Sequence, residues 1–395
     1  MATVPVNPAV LQWAIDRSGM SWDTLLEKVP ELQLWVDGIK DPSFKQLEKF
    51  AKTTMAPFGS LFLPEPPEAP PLPPDFRTKN NTAPRSFSPN LLDTIHVVRQ
   101  RQAWMRDWLM EDGADPVPFV GSGAGDPRRH TKSGRNQIAD QIRQELKLEP
   151  DWSWRLRNWD VATVALRKAM ENIGILVFST SVVGANNKRR LDPDEFRGFV
   201  LCDDYVPAVF INDADTRSAQ IFTLAHELVH VWFGQDGVFN LDQLRPASTA
   251  IEKICNEIAA QFLVPEKLLR THWNEQSATR DGIRSLASMF KVSPLVIARR
   301  GLDLGLLSRD DFSSFYEESR EEWTRLRLGR KGRSGGNFYA TQRRRLGLRF
   351  SAALVRAVRE DRILYRDAFR LTGMRGNTFQ KFADKTLESL RGKRG

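Results

Sequence analysis

The stretch Ile221-Phe222-Thr223-Leu224-Ala225-His226-Glu227-Leu228-Val229-His230-Val231-Trp232 decides the fold of this chain and its chemistry. It contains His-Glu-x-x-His inside an apolar run that predicts a helix. Residues four apart share one face of an α-helix, so His226 and His230 can bind one metal ion. Glu227 follows His226 directly, where its carboxylate can accept a proton from a metal-activated water. Chance produces this pattern in roughly 1 in 200 chains of such composition, so other segments must support it.

A buried helix with two core histidines is the alternative interpretation of this stretch. A zinc site also needs a third protein ligand, with a fourth position left open. The next predicted helix offers Glu257, 27 residues after His230, in an otherwise apolar segment. A carboxylate there is costly unless it binds a metal or pairs with an arginine. Glu252 is the rival carboxylate, but it lies nearer the helix start, where a solvated acid is favourable.

Three short apolar runs precede the histidine helix, at residues 173–178, 196–202 and 207–212. Their length and their β-branched residues predict strands. We expect them to form one small sheet that packs on the helix carrying His226.

Length, composition and charge limit the classes of protein. With 395 residues and 41% hydrophobic content, the chain can form two or three domains. It has no run of about 18 apolar residues, which argues against a membrane span, and its first residues lack a signal peptide. Cys202 and Cys255 give no disulfide framework, and core packing is the simpler role for Cys255 than metal binding. These features predict a cytoplasmic protein.

The net charge of +9 suits nucleic acid or an acidic partner without requiring either. A dense basic cluster lies between Arg320 and Arg349. A solvated face or a flexible tail is the simplest interpretation of such a cluster.

Residues 8–63 predict a small domain of short helices, with capping signals at Asn7-Pro8, Ser21 and Ser43. The segment Trp35-Val36-Asp37-Gly38-Ile39-Lys40-Asp41-Pro42-Ser43 resembles the W-x-x-G-x-x-x-P-[ST] pattern of Cro/C1-type (Xre) helix-turn-helix domains. That resemblance makes DNA a candidate partner through residues 8–63. Only Val29 to Leu34 separate Lys28 from Trp35, which leaves little room for a recognition helix. A degenerate module for packing or dimerisation is therefore the alternative, and no DNA-binding residues are assigned.

Three later segments together resemble the ImmA/IrrE family of zinc metallopeptidases. They are Phe210-Ile211-Asn212, the histidine stretch Phe222–His230, and Cys255-Asn256-Glu257-Ile258-Ala259-Ala260-Gln261-Phe262-Leu263-Val264-Pro265. The resemblance implies that His226, His230 and Glu257 bind Zn²⁺ and that Glu227 is the general base. Asn256 and Asp215 are candidates for supporting the two histidines. The resemblance to this family also implies a regulatory peptidase whose substrate is a protein, with a helix-turn-helix repressor or a toxin partner as candidates.

The predicted fold is α+β and mostly helical. An Xre-like domain at 1–63 is followed by a proline-rich linker at 64–87, a zincin-like metallopeptidase domain at 88–310, and a basic helical region at 311–395. Peptide hydrolysis by zinc-activated water is the predicted function. The alternative is a DNA- or protein-binding regulator, or an antitoxin-like partner, that keeps this fold without turnover.

Overall fold

The computed structural model describes residues 3–67, 87–239, 250–329 and 337–391. It divides into two compact units, Met1–His96 and Val97–Gly395. Most of the predicted proline-rich linker, residues 68–86, lies outside the described residues, as do residues 330–336 of the basic cluster. Within the described ranges, no helix combines the length and apolar character needed to cross a membrane. The predicted domain boundaries stay predictions.

The smaller unit is built from short helices around Trp35 and Phe50, whose rings meet edge to face at 6.2 Å. Asn7 caps the first helix by accepting the Ala9 N–H, and Ser43 forms a reciprocal capping box with Gln46. The third helix has only five residues, as the short spacing before Trp35 predicts. The helices are α1 (Pro8–Ser18), α2 (Trp22–Lys28), α3 (Leu32–Val36) and α4 (Phe44–Thr54).

The larger unit is mostly helical, and one helix, Pro89–Glu111, crosses the border between the units. The predicted α+β, mostly helical class is confirmed. The helices are α5 (Pro89–Glu111), α6 (Lys132–Glu145), α7 (Trp159–Asn172), α8 (Arg217–Phe233), α9 (Ala250–Leu263), α10 (Glu266–His272), α11 (Arg280–Phe290), α12 (Pro294–Asp303), α13 (Arg309–Gly329), α14 (Phe338–Leu346), α15 (Leu348–Arg359), α16 (Tyr365–Thr372) and α17 (Gly376–Arg391).

A four-stranded sheet packs on α8. The strands are β1 (Leu176–Thr180), β2 (Gly198–Leu201), β3 (Ala208–Asn212) and β4 (Gly237–Phe239), in the order β1-β3-β2-β4. β1 runs parallel to β3, and the other pairs are antiparallel. The three predicted strands are confirmed. β4 was not predicted, because three residues are too few to show a strand period.

The first predicted strand begins later than expected. Ile173 ends α7, and Gly174 then turns the chain with a φ of +105°. Glycine adopts this conformation without the steric cost that a side chain would add. The apolar run that starts at Ile173 therefore belongs to two elements. Its first residue ends α7, and β1 begins at Leu176.

Helix α8 is buried on all sides, since every residue from Ala219 to Phe233 is buried. It packs against α7, α9, β2 and β3. Its last carbonyls are satisfied by a loop that precedes α6. Gly121 N–H donates to the Val231 carbonyl at 3.1 Å, and Gly123 N–H donates to the Trp232 carbonyl at 2.8 Å. This loop and the core hold the histidine helix in a fixed position.

Removing an aromatic ring from the core of the larger unit should lower the free energy of unfolding. Phe290 is buried and meets Trp154 edge to face at 5.5 Å. Phe290→Ala should lower the free energy of unfolding by about 3–5 kcal/mol, because it leaves a cavity. Exposed Val164 is the control, and Val164→Ala should change it by less than about 0.5 kcal/mol. Denaturant unfolding followed by tryptophan fluorescence measures both, and equal effects would contradict the described core.

Candidate metal centre

Three potential ligand side chains converge on one point between α8 and α9. The Nε2 atoms of His226 and His230 lie 3.0 Å apart. The Glu252 carboxylate reaches both rings, with one oxygen 3.2 Å from His226 Nε2 and the other 3.3 Å from His230 Nε2. Among the described residues, these three are the ones that bring such ligand atoms together, all within 4.8 Å of one another.

This donor set fits a zinc ion. Tetrahedral Zn²⁺ with ligand distances of about 2.0–2.2 Å holds its donor atoms about 3.3–3.5 Å apart. The separations of 3.0–3.3 Å between the two Nε2 atoms and between each of them and one Glu252 oxygen are close to that requirement. Two imidazoles and one carboxylate also form a donor set typical of catalytic zinc, which leaves a fourth position open.

The expectation that Glu257 is the third ligand is corrected by these positions. Glu257 instead forms an ion pair with Arg135 of α6 at 2.8 Å, and its side chain is 30% exposed. At about 100° per residue, position 257 is rotated by about 140° from position 252 on the helix. Glu252 shares its face with Cys255 and Ala259, which are both buried. The rival carboxylate therefore takes the place that the sequence analysis gave to Glu257.

The helical period contained a signal that could have identified Glu252. Residues 252, 255, 256 and 259 are spaced three and four apart, so they form one stripe on α9. Cys255 and Ala259 mark the buried side of that stripe. A ligand for histidines inside the core must extend from this side. A solvated acid is favourable near a helix start, but Glu252 lies on the buried side of this stripe, and that side determines its position.

Glu227 follows His226 on α8 and is fully buried, close enough to His230 and Glu252 to interact with their charges. Neither of its oxygens has a hydrogen-bond partner among the described residues. Burial is the main cause that raises the pKa of Glu227 to about 8, and the nearby Glu252 carboxylate adds to the shift. A buried carboxyl without a hydrogen-bond partner lowers the stability of the fold. Such groups are typical of functional sites.

Gly198 of β2 makes room for this carboxylate. A Cβ at this position would lie 2.6 Å from Thr223 Cγ2, 2.8 Å from the Phe210 carbonyl oxygen and 3.2 Å from Glu227 Oε1. Only glycine lets β2 pass this close to α8. The sheet therefore approaches the candidate base directly.

Two of the three ligands have protonation states that suit metal binding. Burial lowers the pKa of His226, which favours the neutral ring that coordinates metals. Burial opposes ionisation of Glu252, but its contacts with His226 and His230 outweigh it and hold the pKa of this carboxyl well below its usual range. Glu252 is therefore a carboxylate at neutral pH. In His230, burial is outweighed by contacts with Cys255 and Glu252, which raise the pKa well above its usual value, so a bound metal ion must displace a proton from this ring.

Asn256 and Asp215 are the two candidates for supporting the histidines, and only Asn256 lies next to one of them. Asn256 lies beside His226. Asp215 instead forms an ion pair with Arg197 at 2.6 Å and accepts the Thr216 N–H. It therefore helps to start α8. Burial raises the pKa of the Cys255 thiol, which keeps it protonated and agrees with a role in core packing.

Comparison with known families agrees with this geometry. Residues 170–301 match the model of the IrrE N-terminal-like domain, a peptidase family. Residues 346–385 match a domain of unknown function, DUF8813. A search of curated proteins gave no match. The first match covers the sheet, α8 and α9, and it supports a peptidase-type hydrolase domain. The two histidines and the glutamate that could hold a metal ion lie within the matched residues.

The ligand assignment predicts opposite outcomes for the two glutamates of α9. Glu252→Gln should weaken Zn²⁺ affinity by at least about 100-fold, since loss of even an outer-shell partner costs 10- to 100-fold. Glu257→Gln is the matched control and should leave the affinity within about threefold, because Glu257 pairs with Arg135. Competition with a chromogenic chelator measures both. The assignment is wrong if Glu257→Gln is the variant that loses zinc.

Proposed function

We propose that residues 170–301 form a zinc-dependent endopeptidase. His226, His230 and Glu252 would hold the ion, and Glu227 would act as the general base. The observation behind this proposal is the convergence of three ligand atoms beside a buried carboxylate with no hydrogen-bond partner among the described residues. A purely structural core would not require these three groups at one point with a second buried carboxyl near them.

The chemistry follows from the roles of these side chains. When bound, zinc would polarise the scissile carbonyl and lower the pKa of water toward about 7. Glu227 would accept the proton of the attacking water and deliver it to the leaving amine. Without a metal ion, burial favours the protonated form of Glu227. The positive charge of bound zinc would lower the pKa of this carboxyl and favour the carboxylate that accepts a proton. The two histidines and Glu252 would keep the reacting groups in place.

An extended peptide is the substrate form that the sheet favours. β4 is one of the two edge strands of the described sheet, and it begins at Gly237. A Cβ on Gly237 would lie 3.5 Å from the ring of His230, so the start of this strand is close to the candidate centre. A peptide that adds to a sheet edge uses main-chain hydrogen bonds, which tolerate many sequences. We infer that substrate selection depends on further contacts with a protein target.

The resemblance to regulatory peptidases suggests what that target is. A helix-turn-helix repressor or a toxin partner remains our candidate, and the proposed role is regulation in the cytoplasm. Cleavage of such a protein would change the expression or activity that it controls. The alternative, a regulator or antitoxin-like partner without turnover, predicts the same fold but no need for Glu227.

The proposal predicts that Glu227→Gln separates zinc binding from cleavage. The substitution keeps the side-chain shape, so bound zinc should stay within about twofold of wild type. Cleavage should fall by at least about 100-fold, because no group then accepts the proton. The measurement is mass spectrometry of the cleavage products in a cell extract of folded proteins incubated with zinc-loaded full-length protein, with Glu257→Gln as the active control. Equal cleavage by Glu227→Gln and wild type would contradict the proposal and favour another base.

A second candidate function, protein contact, concerns the smaller unit. Residues 8–63 contain six Lys and Arg against seven Asp and Glu, whereas DNA-binding domains are usually basic. α3 is short, and it buries Leu32 and Trp35 in the core. Exposed apolar side chains lie on the same unit, among them Ile39 at 71% and Phe44 at 55%. We infer that this unit contacts protein rather than reading DNA.

This inference predicts a small effect of lysine removal on DNA binding. In the full-length chain, replacing Lys40 and Lys45 with Ala should leave the affinity for a DNA duplex within about twofold. If both lysines contacted phosphates, the double variant would lose roughly tenfold or more in DNA affinity, and its affinity would depend less steeply on salt concentration. Fluorescence anisotropy across a salt series measures this, and a shallower slope in the double variant would contradict the inference.

A further inference from the structure

A polar cavity of about 450 Å³ lies in the larger unit, away from the candidate metal centre. It is formed by α14, the loop around Asn187 and the turn that leads into α17. None of His226, His230 and Glu252 lines it. Its volume is within the range of about 300–1,000 Å³ that is typical of small-molecule sites.

The charge of the cavity is positive. Arg345 and Arg375 are its charged lining residues, and neither forms an ion pair with a described residue. Arg101 lies behind them, where burial and then the neighbouring charge of Arg345 lower the pKa of Arg101. Asp213 is near Arg345, but it already pairs with Arg217 and Arg344. The cavity therefore lacks an anion to match its arginines.

Gln342 adds a polar side chain to the lining of the cavity. Its side chain is only 3% exposed and lines the cavity. Its amide forms no hydrogen bond with another described residue, and its polar atoms are not among the fully enclosed ones, so its donor and acceptor can contact a molecule in the cavity. Thr378, in the first turn of the 16-residue helix α17, also lines the cavity. The N-terminal end of this helix adds a partial positive charge on that side.

One wall of the cavity suits a planar ring. Phe338 lines it and is 46% exposed, and its ring also meets Tyr339 edge to face at 5.2 Å, so part of the ring stays open to a bound molecule. Asn187 lines the cavity as well and offers both a donor and an acceptor. Arginines for a phosphate, an aromatic ring for stacking and two amides for ring edges form one consistent set.

We propose that this cavity binds a nucleoside monophosphate. The phosphate contacts Arg345 and Arg375, the base stacks on Phe338, and the amides of Gln342 and Asn187 bond its edge. The proposal does not depend on peptidase activity, because binding is measured without a substrate.

Isothermal titration of the full-length chain with AMP, GMP, CMP, UMP and inorganic phosphate tests the proposal. At least one nucleotide should bind with a Kd below about 1 mM. Arg345→Ala and Arg375→Ala should each weaken binding by about tenfold or more, since each removes a charge-assisted contact. Gln342→Leu should also weaken it. Arg375 is exposed, so its substitution tests the site without a risk to folding.

Arg366→Ala is the matched control, because it removes the same charge from an 81% exposed side chain that does not line the cavity. Its affinity should stay within about twofold of wild type. Absence of binding by all four nucleotides below about 1 mM would overturn the proposal. Equal affinity in wild type, Arg345→Ala and Arg375→Ala would also overturn it. Inorganic phosphate that binds as tightly as the best nucleotide would refute recognition of the base.

Discussion

The burial of ionisable side chains on α8 is the constraint on which the rest of the structure depends. The helix is buried from Ala219 to Phe233, so His226, Glu227 and His230 have lost their contact with water. Buried polar groups are costly unless they are hydrogen-bonded, paired or bound to a metal. Glu252 on α9 supplies the matching acceptor for both rings. The packing of α9 against α8 therefore places Glu252 where it compensates the burial of both histidines.

The elements around α8 fix its two ends and leave space for the buried carboxylate. A helix with a polar centre needs partners that fix its ends and leave space around the carboxylate of Glu227. The glycine loop before α6 caps the last turn, and Gly198 lets β2 come close. At the other end, Arg217 of the first turn pairs with Asp213, which also pairs with Arg344 of α14. The C-terminal helices are thus connected by ion pairs to the start of the histidine helix.

The sequence was informative where the signal was local. His-Glu-x-x-His in an apolar run identified α8, and three β-branched runs identified the strands of the sheet beside it. The third ligand required a choice between two carboxylates on one helix. That choice depends on which face of α9 meets α8, and tertiary packing determines it. Counting from Cys255 and Ala259 would have favoured Glu252, but the helix-dipole argument favoured Glu257.

Other features could not be predicted for similar reasons. β4 is too short to show a period, and its place at the sheet edge depends on pairing with β2. The cavity at Arg345 unites residues from three distant segments, which no motif connects. The ion pair of Glu257 with Arg135 is likewise a long-range contact. It was foreseen only in general terms, as a salt bridge to one of the many arginines.

The most direct test of the account is a crystal structure of the zinc-loaded protein, with anomalous data collected at the zinc edge. The account predicts one strong peak between α8 and α9, about 2.0–2.2 Å from Nε2 of His226, Nε2 of His230 and a carboxylate oxygen of Glu252. Glu257 should remain paired with Arg135. A peak coordinated by Glu257, or no peak at the two histidines, would contradict the account.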